Sequence, residues 1–410
     1  MVQLTVDIGG RPGLDCRGFC SYCYFRHTGK REIQPFGCRY CLPFIKGCDY
    51  CSRGVKEEYS GFRPLREVAD SVLADIQSLR GDITRITISG GGDPSCYPEF
   101  IDLVDLLATL EAPLHIGYTS GKGFDDPAIA DLLIDSGLAE ISFTVFASDP
   151  DLRREYMHDQ TPEASLAILE RLAEEIDVYA ASVILPGVND GVVLEETCHW
   201  LQERGVKGHI LMRFANATDQ GLILENAPII PDHPVQTVDE FAEMIRSVAS
   251  TCLMKVSGTP VFDPEFGSPF AIRNEPDLLA KLPQVLGSAT VITGSVAAPF
   301  IRDILSGCGG GNVVAVEKEI ACLITADDLR KVDLSSLADT VIIPGRSFVH
   351  LPEAESILSL DGTARRVLRG PECLTADAET SMGMTRAGVL EMEISGFSDL
   401  IRLINLYRDR

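Results

Sequence analysis

Thiol chemistry is concentrated at the start of the sequence, where seven of the 13 cysteines lie within the first 51 positions. Cys16, Cys20 and Cys23 have the spacing C-x3-C-x2-C in the stretch CRGFCSYC. Three thiolates at this spacing can each bind one iron of a [4Fe-4S] cluster and leave the fourth iron without a cysteine ligand. Structural zinc normally takes four ligands at CxxC-type spacing, so the triplet favours a cluster over zinc. The open iron could bind a substrate.

A second thiol motif follows, with the spacing C-x2-C-x6-C-x2-C. Its members are Cys38, Cys41, Cys48 and Cys51. Two CxxC pairs close together can hold one metal ion in a tetrahedral four-thiolate site, and a closed site of this kind is structural. We expect one mononuclear iron or zinc ion here. A second iron–sulfur cluster is the alternative, although the short loop between the pairs suits a single ion better.

The composition excludes several classes of partner. The net charge is −24, so no basic surface is available to displace counterions from nucleic acid. The sequence has no apolar run of about eighteen residues and no signal-peptide pattern, which predicts a cytoplasmic protein with reduced thiols and no membrane partner. An acidic surface would suit a cationic substrate, but a solvated surface that maintains solubility explains the charge more simply.

The elements that position these motifs can be predicted from hydrophobic periodicity. From residue 64 onward, amphipathic helical stretches alternate with short apolar strands such as ITRITIS, LAEISFTVF and VYAASVIL. This alternation predicts an α/β fold with a parallel sheet, which we interpret as a partial (β/α)6 barrel. Ligands should bind at the carboxyl ends of its strands, where SGGGDP, YTSG and LPGVND all fall.

A domain boundary is predicted near residue 255 by the glycines and prolines of KVSGTPVFDPEFGSP. We therefore expect the partial barrel over residues 1–250, with the four-cysteine site at 36–53. A smaller C-terminal α/β domain should cover 255–410. Its expected strands are SATVITG, NVVAVEKEIACLIT and TVIIPG, followed by a polar, acidic tail after Gly370.

The cysteine triplet, with the aromatic Tyr22 just before its last member, resembles that of the radical S-adenosylmethionine (SAM) superfamily. The resemblance implies that the open iron chelates the amino and carboxylate groups of SAM. One-electron reduction would then cleave SAM to a 5′-deoxyadenosyl radical. Tyr24 follows the triplet directly, and we hypothesise that its phenolate occupies the open iron when SAM is absent. Packing of the ring beside the loop is the alternative.

Further SAM contacts are implied by the same resemblance. The family's glycine-glycine-acid motif, which holds the SAM amino group, is represented here by Gly90, Gly91, Gly92 and Asp93. Asp93 is a shorter carboxylate than the glutamate of the family. Asn189 in LPGVND belongs to a stretch that resembles the motif beside adenine. Additional candidates for the SAM carboxylate and ribose are Ser120, Thr144 and Arg154.

The layout of the whole chain resembles one branch of the superfamily, the methanogenesis marker protein 10 family of methanogenic archaea. The shared features are the triplet, the four-cysteine motif, SGGGDPSCYP, LPGVNDG, ITGSVAAPF and TVIIPG. Members are arginine methyltransferases of methyl-coenzyme M reductase. The resemblance therefore implies C-methylation at Cδ of an arginine in the α subunit of that reductase, with an external electron donor and with cobalamin besides SAM.

Cobalamin is implied by the resemblance alone, because the usual signature Asp-x-His-x-x-Gly is absent. Leu323 and Thr325 are candidate contacts, since they end a predicted apolar strand that could meet a corrin face. Two rival functions remain. One is a radical SAM peptide-modifying enzyme that works without cobalamin, and the other is a metal-binding assembly or redox scaffold that does not cleave SAM.

Overall fold

The structure is a computed structural model that describes residues 2–27, 61–79, 81–260 and 262–406. The predicted four-cysteine site lies outside these residues. The chain divides into two compact units. The first contains the described residues up to Phe214 together with Pro228–Ser257, and the second contains Ala215–Ala227 together with the chain from Gly258 onward.

The larger of the two sheets is parallel and has seven strands in sequence order. Its strands are β1 (Val2–Asp7), β2 (Ile83–Ser89), β3 (Leu114–Thr119), β4 (Leu138–Thr144), β5 (Asp177–Ile184), β6 (Gly208–Arg213) and β7 (Lys255–Thr259). The longer helices between them are α1 (Leu65–Ser78), α2 (Phe100–Ala108), α3 (Ile129–Asp135), α4 (Pro162–Ala173), α5 (Gly191–Glu203) and α6 (Val238–Thr251). The predicted α/β fold with a parallel sheet is confirmed.

The two faces of this sheet differ in polarity. Along β2, Ile86 and Ile88 are buried, whereas Arg85 and Thr87 are half-buried. Successive side chains of a strand point to opposite faces, so the apolar residues line one face and the polar residues the other. On the polar face, Thr87 Oγ1 lies 3.2 Å from Nδ1 of His115 on β3. One face therefore belongs to the hydrophobic core, and the other offers polar groups.

The number of strands differs from the sequence prediction of about six βα units. The seventh strand, β7, lies in the stretch whose glycines and prolines predicted a boundary. Val256, Ser257 and Gly258 are all buried there. Three consecutive buried residues are typical of a strand that is covered on both faces. The glycine in this stretch therefore belongs to a strand of the sheet and not to a linker between domains.

The second unit contains a parallel sheet with the strands β8 (Thr290–Gly294), β9 (Asn312–Val316), β10 (Thr340–Ile343) and β11 (Arg366–Arg369). Their order in the sheet is β11-β10-β8-β9. The longer helices are α7 (Ala298–Gly307), α8 (Leu351–Leu358) and α9 (Arg386–Asn405). Val291 and Ile292, consecutive in β8, belong to two different hydrophobic clusters. Both faces of the sheet are therefore covered, as in doubly wound folds.

The stretch NVVAVEKEIACLIT is not one strand, because β9 ends at Val316. Lys318 is 1% exposed, and its Nζ donates to the carbonyl of Thr218 at 2.5 Å and lies 3.5 Å from an Asp328 oxygen. A buried ammonium is costly unless polar or charged groups compensate it. The chain therefore leaves the sheet after Val316, which lets Lys318 reach Thr218 and Asp328. Leu323 consequently ends a 3-10 turn, and Thr325 caps a short helix (Ala326–Leu329).

The segment after Gly370 is not a polar tail. It includes the twenty-residue helix α9, whose Phe397 is completely buried. Glu393 on the same helix is also buried and accepts hydrogen bonds from the backbone N–H groups of Ala271 and Ile272. The helix thus fills the core despite its acidic sequence. None of the helices within the described ranges combines the length and apolar character needed to cross a bilayer.

Candidate active site

The cysteine triplet lies in the loop that follows β1. Leu14–Cys16 forms a 3-10 turn, and the N–H of Gly13 donates to Cys16 Sγ at 3.3 Å. Cys20 Sγ lies 3.7 Å from the carbonyl oxygen of Met157. All three thiols are half-buried and none forms a disulfide. The loop therefore presents three reduced sulfurs in a partly desolvated setting.

The surroundings of these thiols favour their protonated form. Burial raises the pKa of Cys16 to about 12 and that of Cys23 to about 11, and it raises the pKa of Cys20 as well. The charge of Lys122 acts in the opposite direction at each of the three sulfurs. Since metals bind thiolates, iron binding must displace these protons.

The donor set fits a cluster better than a single ion. Within the described part of the chain, no group of three or more His, Cys, Asp or Glu side chains is arranged to hold one metal ion. In a [4Fe-4S] cluster, each of the three cysteines binds a different iron, so their sulfurs need not converge on one point. Three half-buried thiols on one loop, with a backbone N–H directed at Cys16, match this requirement.

Two basic side chains connect the cysteine loop to the loop after β3. The Arg17 guanidinium donates to the carbonyl of Lys122 at 2.9 Å and forms a two-bond ion pair with Asp125. In the opposite direction, Lys122 Nζ donates to the carbonyl of Gly18 at 2.8 Å. The two loops are therefore tied together from both sides.

Asp93 joins the glycine turn after β2 to the loop after β3. Its carboxylate accepts hydrogen bonds from the backbone N–H of Ser95 at 2.9 Å, the hydroxyl of Ser95 at 2.7 Å and the hydroxyl of Thr119 at 2.6 Å. The backbone N–H of Ser120 at 2.8 Å and the Ser120 hydroxyl complete the set. Five donors from the chain itself hold this carboxylate, so Asp93 fixes the position of Ser120.

Glycines allow the turns after β1 and β2 to interlock. The N–H groups of Gly91 and Gly92 donate to the carbonyl of Gly9 at 2.8 and 3.2 Å. Gly10 has a φ of +92°, and a Cβ atom there would lie 2.6 Å from the nitrogen of Gly92. A Cβ atom on Gly90 would lie 2.4 Å from the Gly9 oxygen. Side chains at these positions would separate the two turns.

The loop after β5 reaches the cysteine loop through a stack of aromatic rings. Asn189 is 1% exposed, accepts from the N–H of Leu185 at 2.7 Å and donates to the carbonyl of Phe146 at 2.9 Å. The Phe146 ring stacks on Tyr22, with ring centres 5.0 Å apart, and on Tyr156, with ring centres 5.5 Å apart. Asn189 therefore positions Phe146, which supports the triplet from one side.

Arg153 is a buried arginine at the carboxyl ends of the strands. It is 0% exposed and pairs with the equally buried Asp159 at 2.8 Å. Its guanidinium also donates to the carbonyls of Ser120, Thr144 and Val145 at 2.9, 3.1 and 2.6 Å. Arg153 begins the π-helical turn Arg153–Met157. The side chain thus holds two strand ends and this turn in one arrangement.

Arg154, a predicted SAM contact, has a different environment. Its side chain is 43% exposed and pairs with Asp151 at 2.7 Å and Glu163 at 2.8 Å. Both carboxylates are themselves largely exposed. The structure therefore places Arg154 in a surface network and brings its neighbour Arg153 to the strand ends.

The family comparison agrees with this geometry. Residues 45–201 match the model of the Radical SAM superfamily. The chain contains a radical SAM superfamily domain. A radical SAM domain implies a [4Fe-4S] cluster and SAM as cofactors. The match begins after the cysteine triplet, and the contacts of Lys122, Tyr22 and Cys20 described above join the triplet to the matched region.

Solved structures with a similar fold over part of the chain were also found. One is SuiB of Streptococcus suis bound to its precursor peptide SuiA, at 12% identity and a TM-score of 0.42, covering 67% of this chain and 52% of that one. Another is a radical SAM methyltransferase from Sphaerobacter thermophilus, at 16% identity and a TM-score of 0.39, covering 62% and 65%. The chain spans about half the length of SuiB. No curated protein matches the sequence.

The structure brings most of the predicted residues of the radical SAM domain together. The triplet, the Gly90–Asp93 turn, Ser120, Thr144 and Asn189 lie on loops after β1 to β5 or at strand ends. Tyr24 is half-buried, and its ring meets Phe25 edge to face with centres 5.3 Å apart. Leu323 and Thr325 lie in the second unit.

Three residues of this site were not predicted from the sequence: Lys122, Arg153 and Phe146. Lys122 directly follows YTSG and is the only lysine or arginine between Arg85 and Arg153, which was a usable signal. Arg153 and Arg154 are adjacent, and no feature of the sequence separates them. Phe146 has a φ of +67°, which is uncommon for a bulky residue and is visible only in the structure.

Proposed function

We propose that this chain is a cobalamin-dependent radical SAM methyltransferase that methylates Cδ of an arginine in the α subunit of methyl-coenzyme M reductase. The observation that carries the radical chemistry is the convergence of the cysteine loop, the Asp93 turn and the Asn189 loop at the carboxyl ends of the sheet. The arginine substrate and the methyl transfer rest on the resemblance of the whole sequence layout.

A ligand site in the second unit is supported by the topology of its four-stranded sheet. Counted within the unit, the strand order β9-β8-β10-β11 is 2-1-3-4. The chain passes from β8 to β9 on one side of the sheet and from β10 to β11 on the other. The position between β8 and β10, where these connections diverge, is therefore a topological switch point. In open α/β sheets, ligands bind outside the carboxyl ends of the strands at such a point. We therefore assign cobalamin to the loops after β8 and β10.

The candidate residues Leu323 and Thr325 fit this assignment. They flank Ile324, whose carbonyl accepts from the N–H of Phe348 at 2.8 Å. Phe348 belongs to the loop after β10, and Thr325 forms a parallel β-bridge with it. The loop after β9 thus lies beside the loop after β10. Neither residue ends a strand, but Thr325 pairs with the loop after β10 and Leu323 lies two positions before it.

The described residues prepare the site for SAM and the cluster. Cys16, Cys20 and Cys23 would hold three irons, and the glycine turn would let the SAM amino group approach the backbone closely. Asp93 keeps the Ser120 loop in place, while Asn189 and Phe146 fix the opposite side. When bound, the cluster and SAM supply hydrogen-atom abstraction from an unactivated carbon, and cobalamin supplies the methyl group. The protein's contribution is position and exclusion of water.

The proposed role of Tyr24 predicts a spectral change. We expect Tyr24→Phe to alter the electron paramagnetic resonance spectrum of the reduced cluster without SAM, because an oxygen ligand of the open iron is removed. Addition of SAM should make the variant and wild-type spectra coincide. Phe25→Leu is the matched control, since it disturbs the neighbouring ring but removes no oxygen. Identical spectra of Tyr24→Phe and wild type without SAM would eliminate this role.

The proposed function is tested with a peptide from the reductase that carries deuterium at Cδ of its arginine. Anaerobic, reduced enzyme with SAM and cobalamin should transfer deuterium to 5′-deoxyadenosine and add one methyl group to the peptide. A peptide with lysine for arginine is the control, and omission of cobalamin should abolish methylation. Deuterated deoxyadenosine without methylation, even with cobalamin, would favour the cobalamin-free peptide-modifying enzyme. No deoxyadenosine from cluster-loaded protein would favour the scaffold.

A further inference from the structure

Lys122 is a buried ammonium group whose donors are all used. Its side chain is 3% exposed. Nζ lies 2.8 Å from the carbonyl of Gly18, 3.0 Å from the carbonyl of Met157 and 3.9 Å from Cys20 Sγ. An ammonium has three N–H groups, and these three acceptors occupy them. Lys122 therefore has no remaining donor for SAM or for a substrate.

The three acceptors belong to segments that must be held together around a cluster. Gly18 and Cys20 are in the cysteine loop, 104 and 102 positions away from Lys122 along the chain. Met157 ends the π-helical turn that Arg153 anchors. One side chain from the loop after β3 thus connects the cysteine loop to this turn, and one of its three contacts is with Cys20.

The charge of Lys122 has no carboxylate partner among the described residues. A buried cation is costly unless an opposite charge compensates it. A cluster bound through three thiolates is anionic, and it becomes more negative by one unit when it is reduced. Charge and hydrogen bonding at the cluster sulfurs are among the main determinants of its potential. The ammonium should therefore stabilise the reduced state more than the oxidised state.

We propose that Lys122 is a positioning residue for the cysteine loop and that it raises the reduction potential of the cluster held there. The proposal depends on the radical SAM domain and its cluster. It is independent of the methyl acceptor and of cobalamin, so it can fail or hold without affecting those assignments.

The potential is measured by a redox titration of Lys122→Met, followed by electron paramagnetic resonance without SAM or substrate. Methionine keeps an unbranched chain of similar length and removes the charge. We expect a more negative midpoint potential, with at least a tenfold lower ratio of reduced to oxidised cluster at a fixed potential, or about 59 mV for one electron. Lys122→Arg, which keeps the charge, should remain close to wild type.

Lys207→Met is the control for the loss of one positive charge, because Lys207 is 51% exposed and pairs with Asp177 at 3.7 Å. Its cluster potential should be unchanged. A Lys122→Met potential equal to that of wild type would overturn the electrostatic role. The same shift in Lys207→Met would overturn it as well, since the effect would then follow net charge.

The positioning role is tested on metal-free protein by hydrogen exchange. Ser21 donates its N–H to the carbonyl of Tyr156 at 2.7 Å, so its exchange reports whether the loop stays on the turn. We expect faster exchange at Ser21 in Lys122→Met and wild-type exchange in Lys207→Met. Unchanged exchange at Ser21 would overturn the positioning role. This measurement tests the positioning role even if the Lys122→Met protein takes up no cluster.

Discussion

Replacing Cys20 by alanine should yield a folded protein that assembles no cluster in the cysteine loop and forms no 5′-deoxyadenosine from SAM. The reason is that three irons need three thiolates, and the stretch CRGFCSYC contains no fourth cysteine as a substitute. The same result is expected for Cys16→Ala and Cys23→Ala. The measurements are the electron paramagnetic resonance signal of the reduced cluster and the yield of 5′-deoxyadenosine.

Cys96 provides the matched control for these variants. It is a half-buried free thiol three residues after Asp93, and burial raises its pKa to about 11, as it does for Cys23. It lies outside the triplet spacing. Cys96→Ala should therefore retain both the cluster signal and SAM cleavage. A Cys20→Ala protein with a full cluster signal, or a Cys96→Ala protein without one, would contradict the assignment of the ligands.

Arg153→Met should lower the free energy of unfolding by about 3–5 kcal/mol, because it leaves the buried carboxylate of Asp159 without its partner. The carbonyls of Ser120 and Val145 also lose their guanidinium donor, which lowers the free energy of unfolding further. Chemical denaturation monitored by circular dichroism measures the change. The expected loss is a large fraction of the free energy of unfolding of an average domain, which is about 5–15 kcal/mol.

Arg154→Met is the control for the adjacent position. Its two ion pairs are solvent-exposed, and exposed pairs contribute about 0–1 kcal/mol. We expect little change in the free energy of unfolding. Equal destabilisation by the two substitutions would show that the burial of the Arg153–Asp159 pair is not what stabilises this region.

Periodic elements were predictable from the sequence because burial of one face produces a local pattern. ITRITIS became β2, and the helical periodicity between residues 64 and 79 became α1. The prediction failed where a long-range contact overrides the local pattern. Lys318 ends β9 because it needs Thr218 and Asp328 as partners, and neither position can be inferred from the apolar run around it.

The candidate site was predictable where chemistry depends on spacing along the chain. The triplet and the Gly90–Asp93 turn are local motifs. Arg153 was not predictable because it begins a π-helical turn, in which the residue facing inward does not follow the spacing of an α-helix. Lys122 meets partners 35 to 104 positions away, and a single sequence does not reveal such pairings.

Within the described residues, the second unit combines a short piece of chain, Ala215–Ala227, with the chain from Gly258 onward. The N–H of Glu319 donates to the carbonyl of Asp219 at 2.9 Å, and a Cβ atom on Gly221 would lie 2.6 Å from the Leu323 side chain. The unit is therefore inherited in separate stretches of the gene. A recombination event with one crossover near residue 257 would combine Ala215–Ala227 with a foreign partner. Exchange of the proposed cobalamin unit between relatives would preserve these contacts only if the two described stretches moved together.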